Sequence, residues 1–151
     1  MADLTDEQIK ALETRARGIR ITIIEMLAEA KSGHLAGPLG MADIFTALYF
    51  HVLKHDPKNP DWPERDRLFL SNGHICPVRY AAMAHAGYFP VEECTTLRKF
   101  GSRLQGHPER EKLPGVETTS GPLGSGISQA TGYAYAPRMD GKPLRVFYNT
   151  P

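Results

Sequence analysis

The chain has 151 residues, a length that suits one domain. Hydrophobic residues make up 41%, enough for a core, and Lys+Arg 18 against Asp+Glu 17 leave a net charge of +1 with no basic or acidic end, so charge gives no case for nucleic acid or an anionic membrane. No apolar run approaches the roughly 20 residues of a membrane span, the acidic N-terminus lacks the apolar stretch of a signal peptide, and Cys76 and Cys94, without metal spacing, read as free thiols of a reducing, cytoplasmic setting.

Thr5 or Asp6 can cap a first helix, in which Ile9, Leu12, Ala16, Ile19, Ile23, Met26, Leu27 and Ala30 repeat near 3.6 residues. It should end at Lys31-Ser32-Gly33, with glycine taking the left-handed turn. A glycine-rich loop follows over residues 33–40, then a second, mostly buried helix over residues 41–52. Residues 55–65 carry three prolines and several charges and read as a surface loop. Residues 66–70 read as a strand with a solvated Asp66-Arg67 start, closed by the turn Ser71-Asn72-Gly73-His74. A helix begins about Pro77 and runs to Gly87. A short helix is expected over residues 90–100, and loop over 101–119. A second glycine-rich turn, residues 120–126, runs into a helix of small residues from Leu123 to Ala136, suited to close packing, and residues 144–148 read as a strand. This alternation predicts an α/β domain with a parallel sheet.

His34, His74 and His107 each stand in a turn beside glycine. Turns at strand ends are where α/β sheets hold ligands, and imidazoles can bind hydroxylated substrates and move protons near neutrality. Two readings stay open at this point: a cluster, or three unrelated loop histidines. His51, His55 and His85 lack that context and read as structural, and no two histidines have metal spacing. Gly121-Pro122-Leu123-Gly124-Ser125-Gly126 could bring backbone N–H groups to a phosphate at a helix start, though glycine turns also serve geometry alone, and no Gly-Lys-Ser/Thr follows.

The combination is more specific than its parts. Ser32-Gly33-His34 with Gly37-Pro38-Leu39-Gly40-Met41-Ala42-Asp43 resembles the first motif of transketolases. Asp66-Arg67 with Leu70-Ser71-Asn72-Gly73-His74 resembles the second, Leu104-Gln105-Gly106-His107-Pro108-Glu109 the third, and the stretch from Pro114 through Gly121 to Ser128 the fourth. The resemblance implies a thiamine diphosphate-binding fold in three layers around a parallel sheet. It implies an enzyme that moves a two-carbon ketol unit between sugar phosphates, using thiamine diphosphate with Mg²⁺ or Ca²⁺. His74 matches the histidine beside the diphosphate, and Gly121, Pro122 and Leu123 match the loop that meets the cofactor through its backbone. His34 and His107 match the histidines that face the sugar. A pyrimidine-binding domain, supplied by a partner chain in a homo- or hetero-oligomer, would complete the site. Dihydroxyacetone synthase shares these N-terminal motifs, and a non-catalytic fragment that only associates with a partner subunit is a further alternative.

Leu35-Ala36 and Ile75-Cys76-Pro77 depart from the usual family wording. In the family, the strand matching Arg145-Val146-Phe147 enters a Gly-Asp-Gly turn that begins the metal motif; here it runs into Tyr148-Asn149-Thr150-Pro151. The resemblance therefore implies a domain, residues 1–151, that is truncated before the metal ligands, has none of its own, and is inactive alone.

Overall fold

The protein is described by a computed structural model over residues 4–142 and 144–150. Helix α1 spans Asp6–Ala30. Its start is a capping box: Gln8 N–H donates to Thr5 Oγ1 at 3.3 Å and Thr5 N–H donates to Gln8 Oε1 at 2.9 Å, which satisfies two N–H groups that the helix cannot. Ala16, Ile19, Thr22, Ile23 and Met26 form its buried face. Burying side chains such as Ile19 and Ile23 completely stabilises the fold by roughly 1.5–3 kcal/mol each. The left-handed residue that ends α1 is Lys31, at φ 50°, rather than a glycine.

Part of the expected glycine loop is helical. Helix α2, Ala36–Gly40, holds Pro38 in its first turn, where the missing N–H costs no helical bond. Met41, at φ −95° and ψ 0°, separates it from α3, Ala42–Ala47, and the chain continues as a π-helical turn, Leu48–Val52. The single helix expected over residues 41–52 is thus divided between two backbone forms.

Strand β1 is Arg67–Leu70, followed by a 3₁₀ turn, Gly73–Ile75, and by α4, Cys76–Ala86. Every residue of α4 from Cys76 to Ala84 is buried, so this helix is the centre of the core. Gly87, at φ 94°, caps it. The expected helix near residue 90 is a 3₁₀ segment, Val91–Thr96. Helix α5 spans Gly126–Met139; it starts three residues later than expected, because residues 122–125 close a turn, and it includes Pro137 in its last turn. Strand β2 is Val146–Asn149.

The two strands are parallel neighbours, with Leu68 opposite Phe147 and Leu70 opposite Asn149. Side chains alternate across the strand. Leu68 and Leu70 face the core built by α1, α3 and α4, whereas Phe69 meets Tyr133 of α5 at 5.2 Å between ring centroids. The sheet therefore has helices on both faces, an α/β arrangement. On α5 only Gly126 and Ala130 are buried; Ile127, Tyr135 and Met139 are exposed, so its small residues make close contact at one end only.

The start of β1 is a buried charge network, not a solvated edge. Asp66 is 5% exposed; its carboxylate accepts Lys54 N–H at 2.6 Å and Arg145 Nε at 3.1 Å, which joins the entries of both strands. Arg65 clasps Glu117 through two bonds, 2.6 and 2.8 Å, and Leu68 N–H donates to the same carboxylate at 3.2 Å. Among the described residues no helix is long and apolar enough to cross a membrane.

Candidate functional site

Three turns meet beyond the C-terminal end of β1. His34 lies between α1 and α2, where Gly33 at φ 124° adopts a conformation that a side chain would strain. His74 lies in the 3₁₀ turn after β1. Their rings stand edge to face, 5.0 Å between centroids. His107 comes from the loop before α5. It approaches so closely that a Cβ on Gly73 would fall 2.9 Å from His107 Cδ2 and 2.7 Å from Ser120 Oγ. The three histidines thus share one surface despite their separation in sequence. Burial holds the His107 pKa below the usual histidine value, and the positive charges of Arg98, His74 and His34 push in the same direction. Its ring is therefore neutral near neutral pH and can accept or donate a hydrogen bond.

The glycine turn lies beside this cluster. Ser120 Oγ donates to Leu70 O, and Ser120 N–H donates to Pro108 O at 3.1 Å. These bonds tie the turn to β1 and to the His107 loop. A Cβ on Gly121 would meet nothing within 4 Å, so its backbone face is open. Among the described residues Gly121 and Leu123 N–H donate to no protein acceptor. Pro122 has no N–H; its carbonyl accepts from Ser125 N–H at 3.3 Å and from Ser125 Oγ at 2.8 Å, which closes the turn. Asn72, 7% exposed, has a buried Oδ1 without a hydrogen-bond partner. Open N–H groups, an unmatched buried acceptor and imidazoles within reach suit an anionic, oxygen-rich ligand with a hydroxylated neighbour.

Arg98 belongs to the same surface and does not stand out in the sequence. Its backbone is left-handed, φ 62°. Its N–H donates to Leu104 O at 2.9 Å, and its Nη1 donates to Ser32 Oγ at 3.4 Å. A Cβ on Gly106 would fall 2.8 Å from its Nε. Arg98 therefore bridges the His34 and His107 turns and brings a cation to them. The readable signal was indirect: glycine at 33 and 106, each leaving space that this side chain approaches. Cys76 and Cys94 are buried free thiols, and burial raises both pKa values to about 12, so neither is a nucleophile.

The remaining histidines lie elsewhere. His55 shares hydrogen bonds with Tyr88 Oη at 3.0 Å and Tyr49 O at 2.7 Å, and His85 shares one with Thr22 Oγ1 at 2.9 Å. His51 is exposed on the π-helical turn. Among the described residues no three His, Cys, Asp or Glu side chains stand together as a metal group.

Residues 12–145 match the family model described as transketolase, thiamine diphosphate binding domain. The chain is 45% identical over 148 residues to a transketolase of Treponema pallidum, covering 97% of this chain and 21% of that protein. It is 42% identical over 144 residues to a 6-deoxy-6-sulfo-D-fructose transketolase subunit of Clostridium sp. (strain MSTE9), covering 95% of this chain and 52% of that one. A solved transketolase from Leishmania mexicana superposes with a TM-score of 0.85 at 37% identity, over 92% of this chain and 22% of that one. The chain thus spans about half of one relative and about a fifth of the others. A family model over most of the chain, carried on this arrangement of turns, places the protein in the transketolase family, in the section that carries its thiamine diphosphate binding domain.

Proposed function

We propose that residues 1–151 act as one diphosphate-holding section of a transketolase. In the complete protein they would serve transfer of a two-carbon ketol unit between sugar phosphates. The observation that carries this is the meeting of His34, His74 and His107 with the open turn at Gly121. Thiamine diphosphate, when bound, supplies the carbanion chemistry that breaks and forms the carbon–carbon bond. The residues present fit parts of this cofactor: Gly121 and Leu123 offer backbone N–H donors, Pro122 shapes the turn between them, and His74 would stand beside the diphosphate. Mg²⁺ or Ca²⁺ would need oxygen ligands from outside the described residues, since these assemble no metal group.

His34 and His107 would then face the sugar. A neutral His107 can accept a proton from a substrate hydroxyl and return it, and His34 can polarise an oxygen on the same surface. Arg98 would add positive charge for an anionic substrate. A second section, on the same polypeptide or a partner subunit, would hold the pyrimidine ring and exclude water.

The test uses the complete enzyme, with a ketose phosphate donor and an aldose phosphate acceptor. His107→Ala should lower turnover on the order of 10²-fold with little change in cofactor affinity. His74→Ala should weaken cofactor binding instead. Equal losses of cofactor affinity from both changes, with no separate effect on turnover, would overturn this division of roles.

A further inference from the structure

We propose that Ser71 is a positioning residue that selects which amides of the glycine turn stay open to a ligand. Ser71 is the residue directly after β1 and is 1% exposed. Its Oγ accepts two backbone bonds from one turn: Gly124 N–H at 2.9 Å and Gly126 N–H at 3.2 Å. The contact is close: a Cβ on Gly126 would fall 2.8 Å from Ser71 Cβ and 3.0 Å from Ser71 Cα. Only glycine at 126 lets the first residue of α5 rest on the end of β1.

The effect on the turn is selective. Over residues 121–126 the five N–H groups belong to Gly121, Leu123, Gly124, Ser125 and Gly126, since Pro122 has none. Ser125 donates to Pro122 O, and Ser71 engages Gly124 and Gly126. Gly121 and Leu123 are left as donors without a protein partner among the described residues. Without the Ser71 hydroxyl, the turn would lose its anchor to the sheet, and four amides rather than two would be unmatched. Gly126 is buried, and buried backbone donors are nearly always satisfied, so the turn would reorganise to find an acceptor for its N–H, and the two ligand-facing amides would move with it. Ser71 touches neither cofactor nor substrate in this account; it acts through the backbone of Gly124 and Gly126.

This inference rests on the reading of the turn as part of the cofactor site, and the experiment separates the two. Amide hydrogen exchange is measured by NMR on the 151-residue chain, native and Ser71→Ala, with Ala81 of α4 as the internal reference. Protection of Gly124 and Gly126 should fall about tenfold, with that of Ala81 much less affected. Ser71→Cys, which keeps the shape and a weak acceptor, should lie between the two; it also serves if the alanine variant folds poorly. In the complete enzyme, thiamine diphosphate with Mg²⁺ is the probe. Ser71→Ala should raise its apparent Kd about tenfold, a larger effect than on turnover at saturating cofactor. Unchanged protection of Gly124 and Gly126 overturns the positioning role. Lost protection with an unchanged Kd overturns the link to the ligand. Failure of the native enzyme to bind the cofactor overturns the cofactor-site reading itself, and this inference with it.

Discussion

Glu117 is 4% exposed and faces three guanidinium groups: Arg65 at 2.6 Å, and Arg67 and Arg79 each at 4.0 Å. A buried cation that loses its partner is costly, so Glu117→Ala should destabilise the fold by about 3–5 kcal/mol, read from urea unfolding. A loss under about 1 kcal/mol would place the pair among ordinary surface ion pairs. Arg98 offers a gentler test. Its charge is one of the causes that depress the His107 pKa, second to burial. Arg98→Gln should raise that pKa without restoring the ordinary value, because burial of the ring remains. An NMR titration of the His107 ring is the check, and no upward movement would separate Arg98 from the histidine cluster. The three histidines were legible in the sequence because glycine neighbours mark turns. Arg98 and Glu117 were not, since their significance lies in partners such as Gly106 and Arg65. For Arg65 and Glu117 the separation is 52 residues.

The step from β1 into α4 is the element on which the site depends. Gly73 lets the His107 loop rest against it: a Cβ there would be 2.7 Å from Ser120 Oγ and 3.1 Å from the Ser120 carbonyl carbon. The second contact is with backbone, so the neighbour cannot simply rotate away. Gly73→Ala should cost about 1–3 kcal/mol of stability. It should also shift the NMR signals of the His107 ring, by displacing its loop. Stability loss without that shift would mean the strain relaxes away from the site. Helix ends show where local reading works and where it fails. The sequence offered Thr5 or Asp6 as the cap of α1, and the cap is Thr5, paired with Gln8 three residues on. Lys31 in the left-handed position was not visible in the sequence, because glycine two residues later is the intrinsically better candidate.

For the whole molecule, two outcomes are expected. The first is acid sensitivity. Burial is the leading cause that lowers the pKa of both His85 and His107 from the ordinary value of 6.5. In the pH range just below 6.5 the unfolded chain binds more protons at these rings than the folded one. Stability from their neutral forms is therefore complete above 6.5 and is lost as pH falls through 6.5 toward the depressed folded values. Urea midpoints measured across this range should show the decline, and His85→Gln with His107→Asn should flatten it. The second concerns the 151 residues alone, which should bind thiamine diphosphate no better than about millimolar. Each open amide offers roughly 0.5–1.5 kcal/mol net, against at least about 4 kcal/mol of lost translational and rotational freedom, and the described residues assemble no metal group. Isothermal titration with Mg²⁺ is the measurement; stoichiometric micromolar binding would contradict it. The sequence by itself determined the order of the long helices and the two strands, a first helix starting at Thr5 or Asp6, a parallel sheet, and the motifs that identify the family. These follow from periodicity, capping and turn chemistry, which act over a few residues, and from the order of short motifs. Only the tertiary structure decided that Asp66 is a buried anchor for Arg145, 79 residues away, and that Ser71 meets Gly126 across 55. Such contacts form when packing excludes water and leaves each charge or amide to find its partner in space, and spacing along the chain does not record that choice.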